Sequence, residues 1–273
     1  MKLYRSSDGI YVEDESSFYR VAAEDWDELL CSDRLFDRVR AAIESEPVSF
    51  EASSALAPIA GQEVWAAGVT YYRSRSARME ESKDTGGGTF YDRVYAAERP
   101  ELFFKSAGWR AVGPGGTVRV RKDARWSVPE PELTLVVNAR GQLVGYTIGN
   151  DISSRDIEGE NPLYLPQAKV YDGSCAIGPA VLLAGTPLAK TTAIHLEISH
   201  GGKIAFTGST TLAQLKREPE QLIAYLFREL SFPRGVFLMT GTGIVPEDDF
   251  TLRSGDVIRI SIDGIGTLEN DVA

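Results

Sequence analysis

The chain has little to offer histidine or cysteine chemistry: 273 residues hold two histidines, His195 and His200, and two cysteines, Cys31 and Cys175. His195 alternates with Ile194 and Leu196 in a strand pattern, and His200 precedes the Gly201-Gly202 turn, so both read as structural. That speaks against a histidine-held zinc ion and against a Ser-His-Asp triad. Neither cysteine has a histidine near it in sequence, as suits a reduced, cytoplasmic protein. No apolar run approaches the ~20 residues of a membrane span. The start, Met1-Lys2-Leu3-Tyr4-Arg5-Ser6, is unlike a secretory signal, and no membrane partner is expected. Positive charge is also scarce, with 29 Lys and Arg against 39 Asp and Glu and a net charge of −10. A nucleic-acid partner is therefore not expected, although a local cation can still hold a small anion. No Gly-x-Gly-x-x-Gly run follows a strand, which argues against a dinucleotide fold.

What is present is a globular composition, 43% hydrophobic and 25% charged, sufficient for one large domain with or without a small one. Residues 1–60 read as a small N-terminal accessory domain, with short strands near Gly9–Val12 and Phe18–Val21. An amphipathic helix follows from about Asp25 to Ser45, with Leu29, Leu30, Leu35, Phe36, Val39 and Ile43 at helical spacing. A polar stretch around Ala52–Gly61 reads as a linker into a main domain over residues 61–273. There, many short strand signals are interrupted by helices at about Tyr72–Lys83 and Pro219–Leu230. The expected fold class is α+β and β-rich, a mixed roll or barrel-like sheet with few helices. Arg78–Pro100, with Gly86-Gly87-Gly88, reads as a solvated loop or as a lid.

Against this background, Val128-Pro129-Glu130-Pro131-Glu132-Leu133 stands out. Residues i and i+2 of an extended chain share a face, and Pro131 keeps Glu130 extended, so both carboxylates project together. Like charges so placed repel unless a cation joins them, and a hard divalent ion accepts carboxylate oxygens. The plainer alternative is a solvated strand edge guarded by prolines. A hairpin through Asn138–Gln142 returns a second strand ending in Asn150-Asp151, which brings Asp151 beside the pair. Three converging carboxylates suit an oxygen-ligand metal site.

Further motifs follow in order: Asn150-Asp151-Ile152-Ser153-Ser154-Arg155-Asp156, Lys169 ahead of Ile177-Gly178-Pro179, Thr240-Gly241-Thr242-Gly243, Gly255-Asp256-Val257, and Gly264-Ile265-Gly266-Thr267-Leu268-Glu269-Asn270. With the Glu-x-Glu pair, this ordered set resembles the fumarylacetoacetate hydrolase superfamily over roughly residues 64–272. The resemblance implies that family's catalytic domain over residues 61–273 and its β-rich roll, assembled as a homo-oligomer, a dimer or tetramer. It implies Glu130, Glu132 and Asp151 as ligands for Mg²⁺, with Mn²⁺ possible, Lys169 as the active-site lysine, and Thr242 as a holder of the substrate carboxylate. Members that hydrolyse C–C bonds carry a histidine after the first strand. Here Gly68-Val69-Thr70-Tyr71-Tyr72-Arg73-Ser74-Arg75-Ser76-Ala77-Arg78 has none. That segment and Arg99-Pro100-Glu101-Leu102-Phe103-Phe104-Lys105 instead resemble the branch that dehydrates 2-keto-3-deoxy-D-arabinonate to 2,5-dioxopentanoate.

On that reading the metal polarises a 2-keto acid and acidifies C3, so that an enolate forms and the C4 hydroxyl departs. Lys169 and Glu101 supply base and acid, with Lys169 the favoured base. Three carboxylates and a divalent ion still sum to −1. Arg73, Ser74, Arg75 and Lys105 are therefore expected to help bind the anionic substrate. Arg155 and Asp156 read as a structural ion pair nearby. The alternatives are a 2,4-diketo acid (acylpyruvate) hydrolase, an oxaloacetate decarboxylase or a hydratase of the same superfamily, and a non-catalytic sugar-acid-binding protein.

Overall fold

The computed structural model describes residues 1–72 and 93–273. Three strands open the chain, β1 (Lys2–Arg5), β2 (Ile10–Asp14) and β3 (Ser17–Arg20), ahead of helices α1 (Trp26–Cys31) and α2 (Leu35–Ile43). The single helix expected from Asp25 to Ser45 is thus two. Asp25 caps the first by accepting from the Glu28 amide at 2.8 Å. Ser32 leaves it in extended geometry, and its Oγ accepts from the Arg34 amide at 3.2 Å. That local hydrogen bond competes with helix continuation, as serine side chains do.

The strands β4 (Glu63–Gly68), β5 (Glu101–Ala107), β8 (Pro131–Val137), β9 (Leu143–Asp151), β11 (Cys175–Leu183) and β14 (Val236–Met239) join the first three in a nine-stranded sheet. Its order is β3-β2-β1-β11-β9-β8-β14-β4-β5. The sheet curls back on itself. Just past β5, the Val112 amide donates to the Cys175 carbonyl at 2.8 Å and the Val112 carbonyl accepts from the Ile177 amide at 2.9 Å. The chain leaving β5 is therefore sewn to β11, five strands away in the sheet order, and a rolled β architecture results. The 1–60 stretch runs into this body: β1 pairs antiparallel with β11, and Leu3, Val12, Leu29 and Val39 share one buried cluster with Val64, Val136, Ile177 and Phe237.

A second, five-stranded sheet combines β6 (Thr117–Val118), β12 (Ala193–His200), β13 (Lys203–Thr211), β15 (Asp256–Ile262) and β16 (Gly266–Val272) in the order β13-β12-β15-β16-β6. Its inner residues Ile194, Leu196, Ile198, Ile258 and Ile260 pack on Leu133, Leu135, Tyr146 and Ile148 of the roll. Helix Pro219–Leu226 adds Leu222, Ile223 and Leu226 to the same cluster. His195 is exposed on β12, and His200 Nδ1 lies 2.7 Å from Asp256 Oδ1 at the surface. Both histidines belong to this second sheet, outside the cleft described below. Among the described residues, no helix is long and apolar enough to cross a membrane.

Candidate active site

The Glu130-Pro131-Glu132 run enters β8, which pairs antiparallel with β9 in a register that sets Pro131 against Asn150 and Glu132 against Gly149. The turn is fastened by Asn138, whose Oδ1 accepts from the amides of Arg140 at 2.9 Å and Gln142 at 3.0 Å. At the open end, Glu130 and Asp151 exchange backbone hydrogen bonds of 3.2 and 3.0 Å. One carboxylate oxygen from each of Glu130, Glu132 and Asp151 lies within 4.8 Å of the others. All three residues are buried, at 5%, 1% and 0% exposure. Burial first, then the charges of Asp151 and Glu130, hold the Glu132 carboxyl well above the usual carboxylate range, against the opposing pull of Lys169 and the Gly241 amide.

Lys169 ends the short helix Leu165–Lys169, where a cation suits the negative end of the helix. Its Nζ donates to Glu130 Oε2 at 2.8 Å, Ser153 Oγ at 2.6 Å and Asp151 Oδ2 at 3.2 Å. Arg155 opens the helix Arg155–Glu160 and donates through Nη2 to Glu130 Oε1 at 2.8 Å. The expected Arg155–Asp156 pair is therefore replaced. Neighbours on a helix point to different sides, and Asp156 accepts instead from the Arg125 amide at 2.7 Å. Glu158, three residues after Arg155, comes back onto the site, with one oxygen 4.0 Å from Arg155 Nε and the other 4.0 Å from Lys169 Nζ.

The opposite wall is made by the loop after β4. Glu101, first residue of β5, is partly exposed and folds its carboxylate over Gly68, its register partner. A Cβ on Gly68 would fall 2.0 Å from Glu101 Oε2. Val69 has a φ of 53°, a left-handed backbone costing a β-branched residue roughly 1–2 kcal/mol. Thr70 Oγ1 holds that loop by donating to the Thr240 carbonyl at 2.6 Å. Gly241, at φ 90°, brings its amide to Glu132 Oε2 at 2.5 Å. A side chain there is excluded, because a Cβ would lie 2.0 Å from Thr70 Oγ1. The Thr242 hydroxyl exchanges hydrogen bonds with Ile244, donating to its carbonyl and accepting from its amide, both at 3.1 Å.

One narrow cleft unites Glu101, Glu130, Glu132, Asp151, Lys169 and Thr242. Lys105 is not on its wall; it is fully buried, with its ammonium 2.6 Å from Asp151 Oδ1. Arg73, Ser74, Arg75, the helix expected at Tyr72–Lys83 and most of the Arg78–Pro100 stretch lie outside the described residues. At the described end of that stretch, Val94, Arg99 and Pro100 line a broader cavity that Glu101 shares. Sequence reasoning did not assign Ser153, Glu158 or the Gly241 amide to the site. The Asn-Asp-x-Ser-x-Arg run had put Ser153 and Arg155 within view.

The donors suit a hard divalent ion. Among the described residues, four buried carboxylates (Glu130, Glu132, Asp151, Glu158) face three buried cations (Lys105, Arg155, Lys169), an excess of one negative charge. A divalent ion turns that excess to +1, and a singly charged organic acid cancels it. Oxygen-only ligands point to the magnesium class rather than to softer metals.

Residues 79–273 match the family model described as fumarylacetoacetate (FAA) hydrolase C-terminal. A probable 2-keto-3-deoxyxylonate dehydratase of Haloferax volcanii is 47% identical over 222 residues, covering 80% of this chain and 74% of that one. A 2-dehydro-3-deoxy-D-arabinonate dehydratase of Saccharolobus solfataricus is 43% identical over 215 residues, covering 77% and 72%. Among solved structures, a 2-keto-3-deoxy-D-arabinonate dehydratase complexed with magnesium and 2,5-dioxopentanoate superposes with a TM-score of 0.84 at 36% identity, over 100% of this chain and 98% of that one.

Proposed function

This chain belongs to the fumarylacetoacetate hydrolase family, and we propose that within it the protein is a hydro-lyase converting 2-keto-3-deoxy-D-arabinonate to 2,5-dioxopentanoate with Mg²⁺, or Mn²⁺ in its place. The observation that carries the reading is the convergence of the three buried carboxylates Glu130, Glu132 and Asp151 on one cleft with Lys169 and Glu101. The relatives named for dehydration of xylonate- and arabinonate-derived acids support the substrate. In the D series, removal of the C2 and C3 stereocentres leaves only C4, which the two sugars share, so both names describe one compound.

Glu130, Glu132 and Asp151 would hold the ion, which supplies Lewis-acid polarisation of the 2-keto acid when bound. Lys169, an ammonium in the charge count above, must first release a proton to solvent to be the base we assign to the C3 proton, and Glu101 is the acid that protonates the departing C4 hydroxyl. This first elimination breaks C3–H and C4–O, releases water and leaves a C3=C4 double bond conjugated with the 2-keto group. The C5 aldehyde then requires a second exchange. Glu101, now ionised, takes a proton from C5 while Lys169 returns one to C3, which moves the double bond to C4=C5. The resulting enol becomes the aldehyde, one water has been lost in total, and both residues regain their starting protonation. Arg155 and Ser153 hold Glu130 and Lys169 in place throughout.

The test is turnover of 2-keto-3-deoxy-D-arabinonate by the purified protein with Mg²⁺ and after chelation, with 2,5-dioxopentanoate as the readout. Metal-dependent product is expected. Metal-dependent breakdown of acylpyruvates or oxaloacetate, with no product from the sugar acid, would keep the site and overturn the reaction.

A further inference from the structure

We infer that Lys105 is a positioning residue that fastens Asp151 and Lys169 to the seam of the rolled sheet, and not a substrate ligand. The inference rests on the reading of Glu130, Glu132 and Asp151 as metal ligands.

Lys105 lies on β5, the last strand of the sheet order, four strands removed from β9. Only because the sheet rolls up does its side chain reach the far end of β9. There the ammonium is 0% exposed and meets three acceptors: Asp151 Oδ1 at 2.6 Å, the Ile152 carbonyl at 3.1 Å and the Lys169 carbonyl. Two of the three N–H donors of a lysine ammonium go to those carbonyls, and its charge is set against Asp151 Oδ1 as an ion pair, so the group is enclosed by protein on every described side. Lys105 also stands behind the cleft wall, whereas Lys169 lines it.

The three acceptors belong to the parts that must keep register for the chemistry. Asp151 is one proposed metal ligand, Ile152 is the backbone between it and Ser153, and the Lys169 carbonyl ends the helix carrying the proposed base. Ser174 Oγ is the other donor to that carbonyl, at 2.9 Å. Lys105 thus ties one ligand carboxylate and the base's backbone to a single buried charge, as groups behind metal ligands commonly do. Its replacement by methionine fills the same slot but removes one buried positive charge and, among the described residues, the cation nearest Asp151.

The experiment is direct titration of Mg²⁺ into substrate-free protein by calorimetry, paired with steady-state kinetics, for wild type and Lys105→Met. Groups of this kind are worth about 10–100-fold in metal affinity or activity. We expect Mg²⁺ affinity about tenfold weaker or more, kcat about 100-fold lower at saturating metal, and KM within about threefold of wild type. An unchanged Mg²⁺ affinity with a KM raised tenfold or more would overturn the inference and return Lys105 to substrate binding. If Lys105→Met does not fold, Lys105→Gln, which keeps two amide donors without the charge, is read by the same two measurements. The titration uses no substrate, so it remains decisive if the sugar acid proves wrong. Failure of wild type to bind Mg²⁺ would instead sink the ligand reading itself.

Discussion

Glu132→Gln should stabilise the metal-free protein and weaken the metal-loaded one, a crossing that follows from the geometry of the cleft. Glutamine keeps the shape and an oxygen to accept from the Gly241 amide, and removes only the charge. The three carboxylates have oxygens within 4.8 Å of one another, and at an effective dielectric near 20 such a pair repels by roughly 3–4 kcal/mol. Lys169, bonded to Glu130 and Asp151, offsets part of this. We therefore expect a gain of about 1–2 kcal/mol without metal. For 273 residues at ~2.1 cal/mol/K each, the unfolding entropy is about 0.6 kcal/mol/K, so the gain is roughly 2–3 °C in Tm. With Mg²⁺ at about 100 times its Kd, wild type should gain ~2.7 kcal/mol, about 5 °C, and Glu132→Gln should gain little of it. Scanning calorimetry in chelator and in excess Mg²⁺ reads both arms. A metal-free variant less stable than wild type, or an undiminished Mg²⁺ shift in the variant, would refute the reasoning.

The same carboxyl sets a pH dependence. Its folded pKa lies above the ordinary value, so its contribution to metal-free stability is full at low pH and is lost as pH rises through the folded value. Mg²⁺ requires the ionised form, so affinity should rise with pH over that window, with proton release measurable by calorimetry in buffers of different ionisation enthalpy. Glu101→Gln should still exchange the C3 protons of the keto acid for deuterium while failing to expel water, whereas Lys169→Met should do neither beyond the uncatalysed rate, both followed by proton NMR. Gly68→Ala should leave Tm within about 2 °C, since the added methyl meets only the movable end of Glu101, yet lower kcat about 100-fold; wild-type kcat would remove Glu101 from the chemistry.

The carboxylate trio was legible in the chain because it is local. Glu130 and Glu132 share a face by strand periodicity, and one tight hairpin returns Asp151 to them, so proximity needed only pairing register. The β-rich class was legible for the same reason, from alternation and turn residues. The break at Ser32 shows the limit of that approach: helical spacing of apolar residues continues across Cys31–Asp33, while a local serine hydrogen bond stops the helix.

Tertiary structure decided the rest. Arg155 reaches Glu130 across 25 positions, Lys105 reaches the Lys169 carbonyl across 64, and the Gly241 amide reaches Glu132 across 109. No periodicity encodes these separations; they exist because the sheet rolls until β5 is sewn to β11 through Val112. The sequence by itself determined which oxygens gather for an ion. Which cations neutralise them, and which lysine faces the cleft while the other is spent behind it, depended on the closure of the roll.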